Sequence, residues 1–181
     1  MRAVELSARL NPGESLADRI LKVNHAGEHG AVNIYRGQVL TCRSRGLREE
    51  LREFQSHEER HRALFWAELE RRGRRRCRSY HLCGIGGFAL GAITGLLGAS
   101  AVAATTVAVE RVVLRHLAAQ LEVLAGMDAK AHAAVVAIVH EEREHHDRAA
   151  LEARQGGFWP RVLMPIVSAS TEMVIWLGMR L

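Results

Sequence analysis

Proline is scarce in this chain of 181 residues, and its scarcity constrains the fold. Only Pro12, Pro160 and Pro165 occur, so the interval 13–159 contains none. Aromatic residues are also few, at 5%. Because proline is the strongest helix breaker and a β-sandwich needs frequent turns between short strands, these absences disfavour a sandwich and predict long helices.

Cysteine is equally scarce, with three residues and no Cys-x-x-Cys pair. An odd number of cysteines without that spacing supports neither a disulfide framework nor a zinc knuckle. Residues 1–20 also lack an apolar run, so the sequence predicts no signal peptide. We therefore expect a protein of a reducing, cytoplasmic compartment.

Lysine is nearly absent, and the positive charge is concentrated in one place. Two lysines and 23 arginines stand against 20 acidic residues, which gives a net charge of +5. Six of the arginines lie within 71–78 without an acid between them, and without their charge the rest of the chain carries −1. A nearly neutral body does not predict a phosphate-tracking face, so we expect no nucleic acid partner.

The hydrophobic pattern predicts one all-α domain over 1–181, with a flexible leader at 1–14. Apolar residues recur every three or four positions in four long segments, so we expect bundle helices at about 15–45, 47–72, 100–125 and 129–154. Two further helices, 82–97 and 158–181, are mainly apolar. The uncharged stretch 79–109 is long enough to span a bilayer, but its six glycines and a predicted break near Gly98 favour two separate helices.

Two Glu-x-x-His pairs are the main chemical signal. Glu58 with His61, and Glu142 with His145, each place both side chains on one helix face. One such pair is a weak signal, but both lie in core-facing series, and the two series are 84 residues apart at every member. The first series is Leu51, Phe54, Glu58, His61 and Phe65, and the second is Val135, Ile138, Glu142, His145 and Ala149.

Two single glutamates complete the pattern. Glu28 and Glu110 lie on the apolar stripes of the first and third bundle helices, 82 residues apart, so a helix pair is used twice. Four carboxylates in one core are costly unless two divalent cations neutralise them. Glutamate from two helices and Glu-x-x-His from two others is the ligand set of carboxylate-bridged di-iron bundles. The alternative is that some of these residues lie on the surface of helices whose phase the pattern does not fix.

Several motifs resemble the demethoxyubiquinone hydroxylases of ubiquinone biosynthesis, over about residues 15–181. The matching segments are His25-Ala26-Gly27-Glu28-His29-Gly30-Ala31 with Ile34-Tyr35-x-Gly37-Gln38, Gly87-Phe88-Ala89-Leu90-Gly91-Ala92 with Leu96-Leu97-Gly98, Thr106-Val107-Ala108-Val109-Glu110, Glu141-Glu142-x-Glu144-His145-His146-Asp147 and Ile175-Trp176-Leu177.

The resemblance implies a ferritin-like four-helix bundle with two additional apolar helices for membrane association. It implies an O2-dependent di-iron monooxygenase that hydroxylates the ring of a prenylated demethoxyubiquinol, with two iron ions per chain and electrons from NADH. The implied ligands are Glu28, Glu58, His61, Glu110, Glu142 and His145, with Glu58 and Glu142 bridging. Candidates for orienting them are His116, Glu141, His146, Asp147 and Tyr35.

The same resemblance implies a peripheral protein on the cytoplasmic face of the bacterial inner membrane, with a lipid-binding accessory protein and a homo-oligomer as candidate partners. The helices 82–97 and 158–181 would form the anchor and an apolar entry path. The arginines of 71–78 would contact anionic lipid, although a solvated helix end is the alternative. The spacing of Gly87, Gly91 and Gly95 predicts a close helix contact.

This chain departs from the family pattern at several positions. The family usually has Asp and Tyr at Asn24 and His29, a second acid at Arg111, a Tyr-Asn-Asn run at Leu117-Ala118-Ala119, and charged residues near Ala99. The ligand set is untouched, whereas substrate contacts and the electron-entry route are open. Two rival functions remain at this point, a ferroxidase or iron-storage bundle and a non-enzymatic membrane adaptor of the same fold.

Overall fold

The computed structural model describes residues 8–155 and 157–181, and every regular element in that part of the chain is an α-helix. The six helices are α1 Leu16–Thr41, α2 Arg45–Arg71, α3 Tyr80–Leu97, α4 Ala99–Leu124, α5 Ala129–Gln155 and α6 Trp159–Gly178. The predicted all-α class and the order of the six helices are confirmed.

Side-chain caps begin the first two helices. The Ser15 hydroxyl accepts a hydrogen bond from the Asp18 N–H (3.1 Å), and the Asp18 carboxylate accepts one from the Ser15 N–H (3.0 Å), which forms a capping box. Ser44 caps α2 by accepting from the Leu47 N–H at 3.3 Å. Because this cap starts α2 at Arg45, the connection between α1 and α2 lies at 42–44, slightly before the predicted boundary between 45 and 47.

Gly98 separates α3 from α4. Its φ of 98° lies in the left-handed region that side chains with a Cβ avoid, so the chain turns there without a polar loop. The predicted break near Gly98 is confirmed. Asp128 precedes α5 and caps its first turn, because its carboxylate accepts a hydrogen bond from the Ala131 N–H at 3.0 Å.

Four helices form the bundle, and two cover it. α1 pairs with α2 and α4 pairs with α5, while α3 packs along α1 and α6 packs along α4. The largest apolar cluster joins α1, α2, α4 and α5 and contains Ile20, Leu21, Phe65, Leu69, Leu117, Leu124, Val135 and Ile138. The site described below lies farther along the same bundle interior.

The contact between α3 and α1 is a backbone contact. A Cβ on Gly87 would collide with the carbonyl oxygen of Gly30, and one on Gly91 would collide with that of Ile34. Gly95 lies equally close to the side chain of Thr41. The predicted close contact is therefore confirmed, and its partner is α1 of the same chain.

The outer faces of α3 and α6 are apolar and exposed. Both helices are long and apolar enough to cross a membrane. Ile85 is 72% exposed and Leu96 68% on α3, and Met173 is 62% exposed on α6. Exposed apolar patches of this kind mark interaction surfaces.

The predicted flexible leader, 1–14, is described from residue 8 onward, and its first seven residues lie outside the described part. The Arg9 N–H donates to the Met179 carbonyl at 2.9 Å. The buried Glu14 carboxylate pairs with Arg19 and Lys22, both at 2.7 Å. The end of the predicted leader is thus tied to α1 and to the end of α6.

The arginines of 71–78 do not form one exposed patch. Arg71 pairs with Glu68, Arg72 with Glu68 and Asp128, and Arg74 with Asp18. The Arg76 guanidinium lies 4.7 Å from the centre of the Trp66 ring and 4.8 Å from that of Tyr80. Arg75 and Arg78 are exposed, and among the described residues neither forms an ion pair or a ring contact.

Candidate metal centre

The four bundle helices bring the six predicted ligands together. α1 supplies Glu28, α2 supplies Glu58 and His61, α4 supplies Glu110, and α5 supplies Glu142 and His145. All six are buried, with exposures of 0 to 6%. The core-facing series found in the sequence therefore have the predicted phase in all four helices.

The six residues form two overlapping groups. Glu28, Glu58, His61 and Glu142 place one potential ligand atom each within 4.8 Å of one another, and so do Glu58, Glu110, Glu142 and His145. Glu58 and Glu142 belong to both groups. A residue set that shares two carboxylates in this way is suited to a pair of neighbouring cations.

Several potential ligand atoms face each other without forming hydrogen bonds. His61 Nδ1 lies 2.9 Å from Glu142 Oε1, and His145 Nδ1 lies 3.1 Å from Glu58 Oε1. Despite these distances, all four atoms are buried and lack a hydrogen bond of acceptable geometry. Carboxylate oxygens and imidazole nitrogens that are left unpaired in this way are suitable metal ligands. Ligands of these types suit iron or manganese.

The carboxylates strongly perturb one another. Burial, together with the neighbouring Glu142 and Glu58, raises the pKa of Glu28 well above its usual range. Burial and Glu142 do the same to the pKa of Glu110. Burial opposes ionisation of Glu58 as well, but the close imidazoles of His145 and His61 outweigh it and lower the pKa of Glu58. The cluster therefore needs protons or cations for balance.

His61 titrates in the opposite direction. Burial alone would lower its pKa, but the close carboxylates of Glu142 and Glu58 raise the pKa of His61 to about 10. Without a cation, the imidazole thus supplies part of the positive charge that the carboxylates require. Divalent cations would replace these protons and neutralise the buried charge.

Two of the predicted orienting residues contact the ligands. His61 Nε2 lies 2.7 Å from Glu141 Oε2, so Glu141 can accept the ring N–H and leave Nδ1 for the cluster. The Tyr35 hydroxyl donates to Glu110 Oε1 at 3.2 Å. Burial and the nearby Glu110 raise the pKa of Tyr35 well above its usual value, so this hydroxyl keeps its proton.

The other three predicted orienting residues form no hydrogen bond with the six candidate ligands. His146 Nδ1 and Asp147 Oδ1 lie 2.9 Å apart and pair with each other. His116 Nε2 instead lies 2.8 Å from Glu172 Oε2 of α6. The spacing of residues along a helix fixes the direction of each side chain around the helix axis only broadly. It therefore did not distinguish these three residues from Glu141.

Sequence reasoning missed His57. Its Nδ1 lies 3.0 Å from Nε2 of His145, and the two rings stack with centroids 5.2 Å apart. His57 lies outside the core-facing series, but it precedes Glu58 as Glu141 precedes Glu142, and His57 and Glu141 are 84 residues apart. Applying the repeat to Glu141 would have found it.

A cavity of about 300 Å³ leads from the carboxylates to the covering helices. Its wall includes Glu28, Glu58, Glu110 and Glu142 at the site, Leu82, Gly86 and Leu90 of α3, and Thr171, Val174 and Ile175 of α6. Two departures from the family pattern, Asn24 and Leu117, also lie in this wall. The wall is mainly apolar, so it suits a hydrophobic molecule.

A helical bundle in which six buried glutamates and histidines form two groups with two shared carboxylates defines the class of carboxylate-rich di-metal proteins. The comparison with known families makes the assignment more specific. The chain belongs to the family described as ubiquinone biosynthesis protein COQ7, which matches residues 15–178. The predicted ferritin-like fold and family resemblance are thereby confirmed.

Named relatives agree with this assignment. The chain is 38% identical to a 3-demethoxyubiquinol 3-hydroxylase of Rhodospirillum rubrum over 169 residues, which cover 92% of this chain and 79% of the relative. It is 32% identical to the Legionella pneumophila protein of the same name, covering 82% and 75% of the two chains. A human mitochondrial NADPH-dependent 3-demethoxyubiquinone 3-hydroxylase is 31% identical, covering 94% and 81%.

Proposed function

We propose that this protein hydroxylates the ring of a demethoxyubiquinol with O2, as the penultimate step of ubiquinone biosynthesis. The observation that carries the proposal is the apolar cavity that ends on the two overlapping ligand groups. Relatives named 3-demethoxyubiquinol 3-hydroxylase over most of the chain support it. An iron-storage bundle has no need of an apolar entry path, so this rival is less well supported.

The proposed ligands are the six residues of the two groups. Glu58 and Glu142 would bridge two irons, because each belongs to both groups. Glu28 and His61 would complete one site, and Glu110 and His145 the other. When bound, the two irons would supply the oxidising chemistry with O2.

The protein's own residues hold and shield this centre. Glu141 fixes the ring of His61, and Tyr35 donates to Glu110. Phe54 packs against His145 with ring centroids 4.3 Å apart and keeps solvent from that side. A rigid site that excludes water would limit side reactions and favour reaction with a ring bound in the cavity.

We also propose a peripheral membrane location on the cytoplasmic face of the bacterial inner membrane. The cavity reaches both covering helices, whose exposed outer faces carry Ile85, Leu96 and Met173. α3 is bound to α1 along its glycines, and α1 carries the exposed Arg36, which favours a helix lying in the interface over one that spans it. Arg75 and Arg78 are the arginines left to contact anionic lipid.

Electrons would come from a nicotinamide nucleotide. The resemblance implied NADH, whereas the human relative is named as NADPH-dependent, so the two nucleotides should be compared in anaerobic reduction of the iron-loaded protein.

The apolar faces of α3 and α6 are the proposed contact for a lipid-binding accessory protein or a second copy of this chain.

Quinone profiling tests the proposed function. A strain that lacks this chain should accumulate a demethoxyquinone, and wild-type protein should restore the product. Glu58→Ala should fail to restore it, whereas Glu59→Ala, at the exposed neighbouring position, should succeed. Unchanged quinones in the deleted strain would end the proposal.

A further inference from the structure

One polar side chain of the cavity wall, that of His116, is incompletely bonded. The amides of Asn24 and Gln120 bond each other at 2.8 and 3.0 Å. The hydroxyls of Ser170 and Thr171 donate to a carbonyl of their own helix at 2.9 and 2.8 Å. Outside the carboxylate cluster, His116 is thus the described wall residue that has a buried nitrogen without a partner.

His116 is held from one side only. It is 8% exposed, and its Nε2 lies 2.8 Å from a carboxylate oxygen of Glu172 on α6, whereas its Nδ1 has no hydrogen-bond partner. An unpaired buried ring nitrogen costs stability, so native proteins rarely leave one without a functional reason. The imidazole forms part of the wall of a cavity that is large enough for a ligand.

The bond with Glu172 determines which ring nitrogen carries the proton. Glu172 forms an ion pair with Arg115, and an ionised carboxylate can only accept hydrogen bonds. Nε2 must therefore donate. Burial and the charge of Arg115 lower the pKa of His116 to about 4, so near neutral pH the ring is uncharged and Nδ1 is an acceptor.

We propose that His116 positions the quinol ring and selects the reduced form, by accepting a hydrogen bond from a ring hydroxyl at Nδ1. This inference rests on the proposed function. A quinol offers hydroxyl donors, whereas the carbonyls of a quinone only accept and cannot pair with Nδ1. His116 follows Glu110 by six residues, about 9 Å along α4, so a ring bonded there stays in the part of the cavity next to the carboxylates.

Binding measurements test the proposal without turnover. Full-length protein loaded with redox-inert zinc is titrated in detergent, under argon, with a short-chain demethoxyquinol and with its quinone. Wild type should bind the quinol about threefold to tenfold more tightly, as one hydrogen bond allows. His116→Leu should bring the affinity ratio close to one, whereas the matched His140→Leu, at an exposed position of α5, should keep the wild-type ratio.

A second variant keeps the test decisive if His116→Leu does not fold. Glu172→Gln leaves the size of the side chain unchanged, but its amide can donate to Nε2 as well as accept, so Nδ1 is no longer held as an acceptor. The ratio should fall in this variant and not in the control Glu122→Gln. Equal affinities in wild type, or a full preference in folded His116→Leu or Glu172→Gln, would overturn the inference alone. Failure of wild type to bind either molecule would overturn the proposed function as well.

Discussion

The first and second helix pairs carry the same ligand pattern, yet they support it with different residues. His61 is held by Glu141, which is itself paired with Arg60 at 2.9 Å. At the equivalent position, 84 residues earlier, His57 holds His145. One ligand histidine therefore has a charged partner and the other a neutral one.

The single glutamates differ in the same way. Glu110 accepts a hydrogen bond from the hydroxyl of Tyr35. The residue 82 positions after Tyr35 is Leu117, so Glu28 has no equivalent hydroxyl. A repeated scaffold thus places ligands symmetrically while its supporting residues make the two proposed metal positions chemically distinct, because partners of this kind tune ligand basicity.

The largest expected effect is on iron content, and it distinguishes carboxylates that belong to both ligand groups from those that belong to one. Glu142→Ala removes a ligand from both groups, so iron-reconstituted protein should fall from two irons per chain to nearly none. Glu28→Ala removes a ligand from one group and should leave about one. Metal analysis after gel filtration measures both, with Glu59→Ala as the control. Full iron retention in Glu142→Ala would contradict the ligand assignment.

The next effect should show whether the two positions differ in affinity. Glu141→Gln and His57→Gln each alter the partner of one ligand histidine, and such changes cost about tenfold to 100-fold in metal affinity. We expect the larger loss for Glu141→Gln, because it removes a charge-assisted hydrogen bond. Competition with a chelator resolves the two binding steps. If both variants weaken the same step, the two positions are not distinct in the way described.

The metal-free protein should lose stability as pH rises from 7 to 9. Because their pKa values are raised, Glu28 and Glu110 hold protons more tightly in the folded state than in the unfolded state, so their contribution to stability declines as pH rises above the ordinary carboxyl pKa. His61, with a pKa of about 10, acts in the same direction. For each retained proton, the free energy of unfolding falls by about 1.4 kcal/mol per pH unit. Without metal, the urea concentration at the unfolding midpoint should fall across this pH range, and with iron bound it should stay nearly constant. A midpoint that does not change with pH in the metal-free protein would refute the proposed protonation of these residues.

The smallest effect concerns the covering helices, which also differ between the halves. α3 meets α1 through glycine, whereas α6 meets α4 through side chains such as Val167. Gly91→Ala should destabilise the protein by about 1–3 kcal/mol, because the new methyl group meets the Ile34 carbonyl. Gly86→Ala, with open space around it, should be neutral or slightly stabilising. Thermal unfolding compares the two, and equal melting temperatures would show that the close contact is not maintained in solution.

The sequence predicted what depends on periodicity within one helix. The six proposed ligands, the apolar helices and the break at Gly98 all follow from spacing along the chain. Contacts across helices did not follow, because they depend on the lateral placement of each helix. Glu172 meets His116 only because α6 lies along α4. Asp18 and Asp128, far apart in sequence, similarly pair with arginines that looked like one basic patch.

The glycine contact has a consequence for the mouth of the cavity. Where α3 packs on α1 backbone against backbone, there are no side-chain rotamers to exchange. α3 therefore has a single position on α1. The opposite wall, formed by α6, rests on side chains that can repack, and Pro165 interrupts its hydrogen-bond ladder. The entrance thus has one fixed wall, α3, and one wall, α6, that can adjust to the molecule that enters.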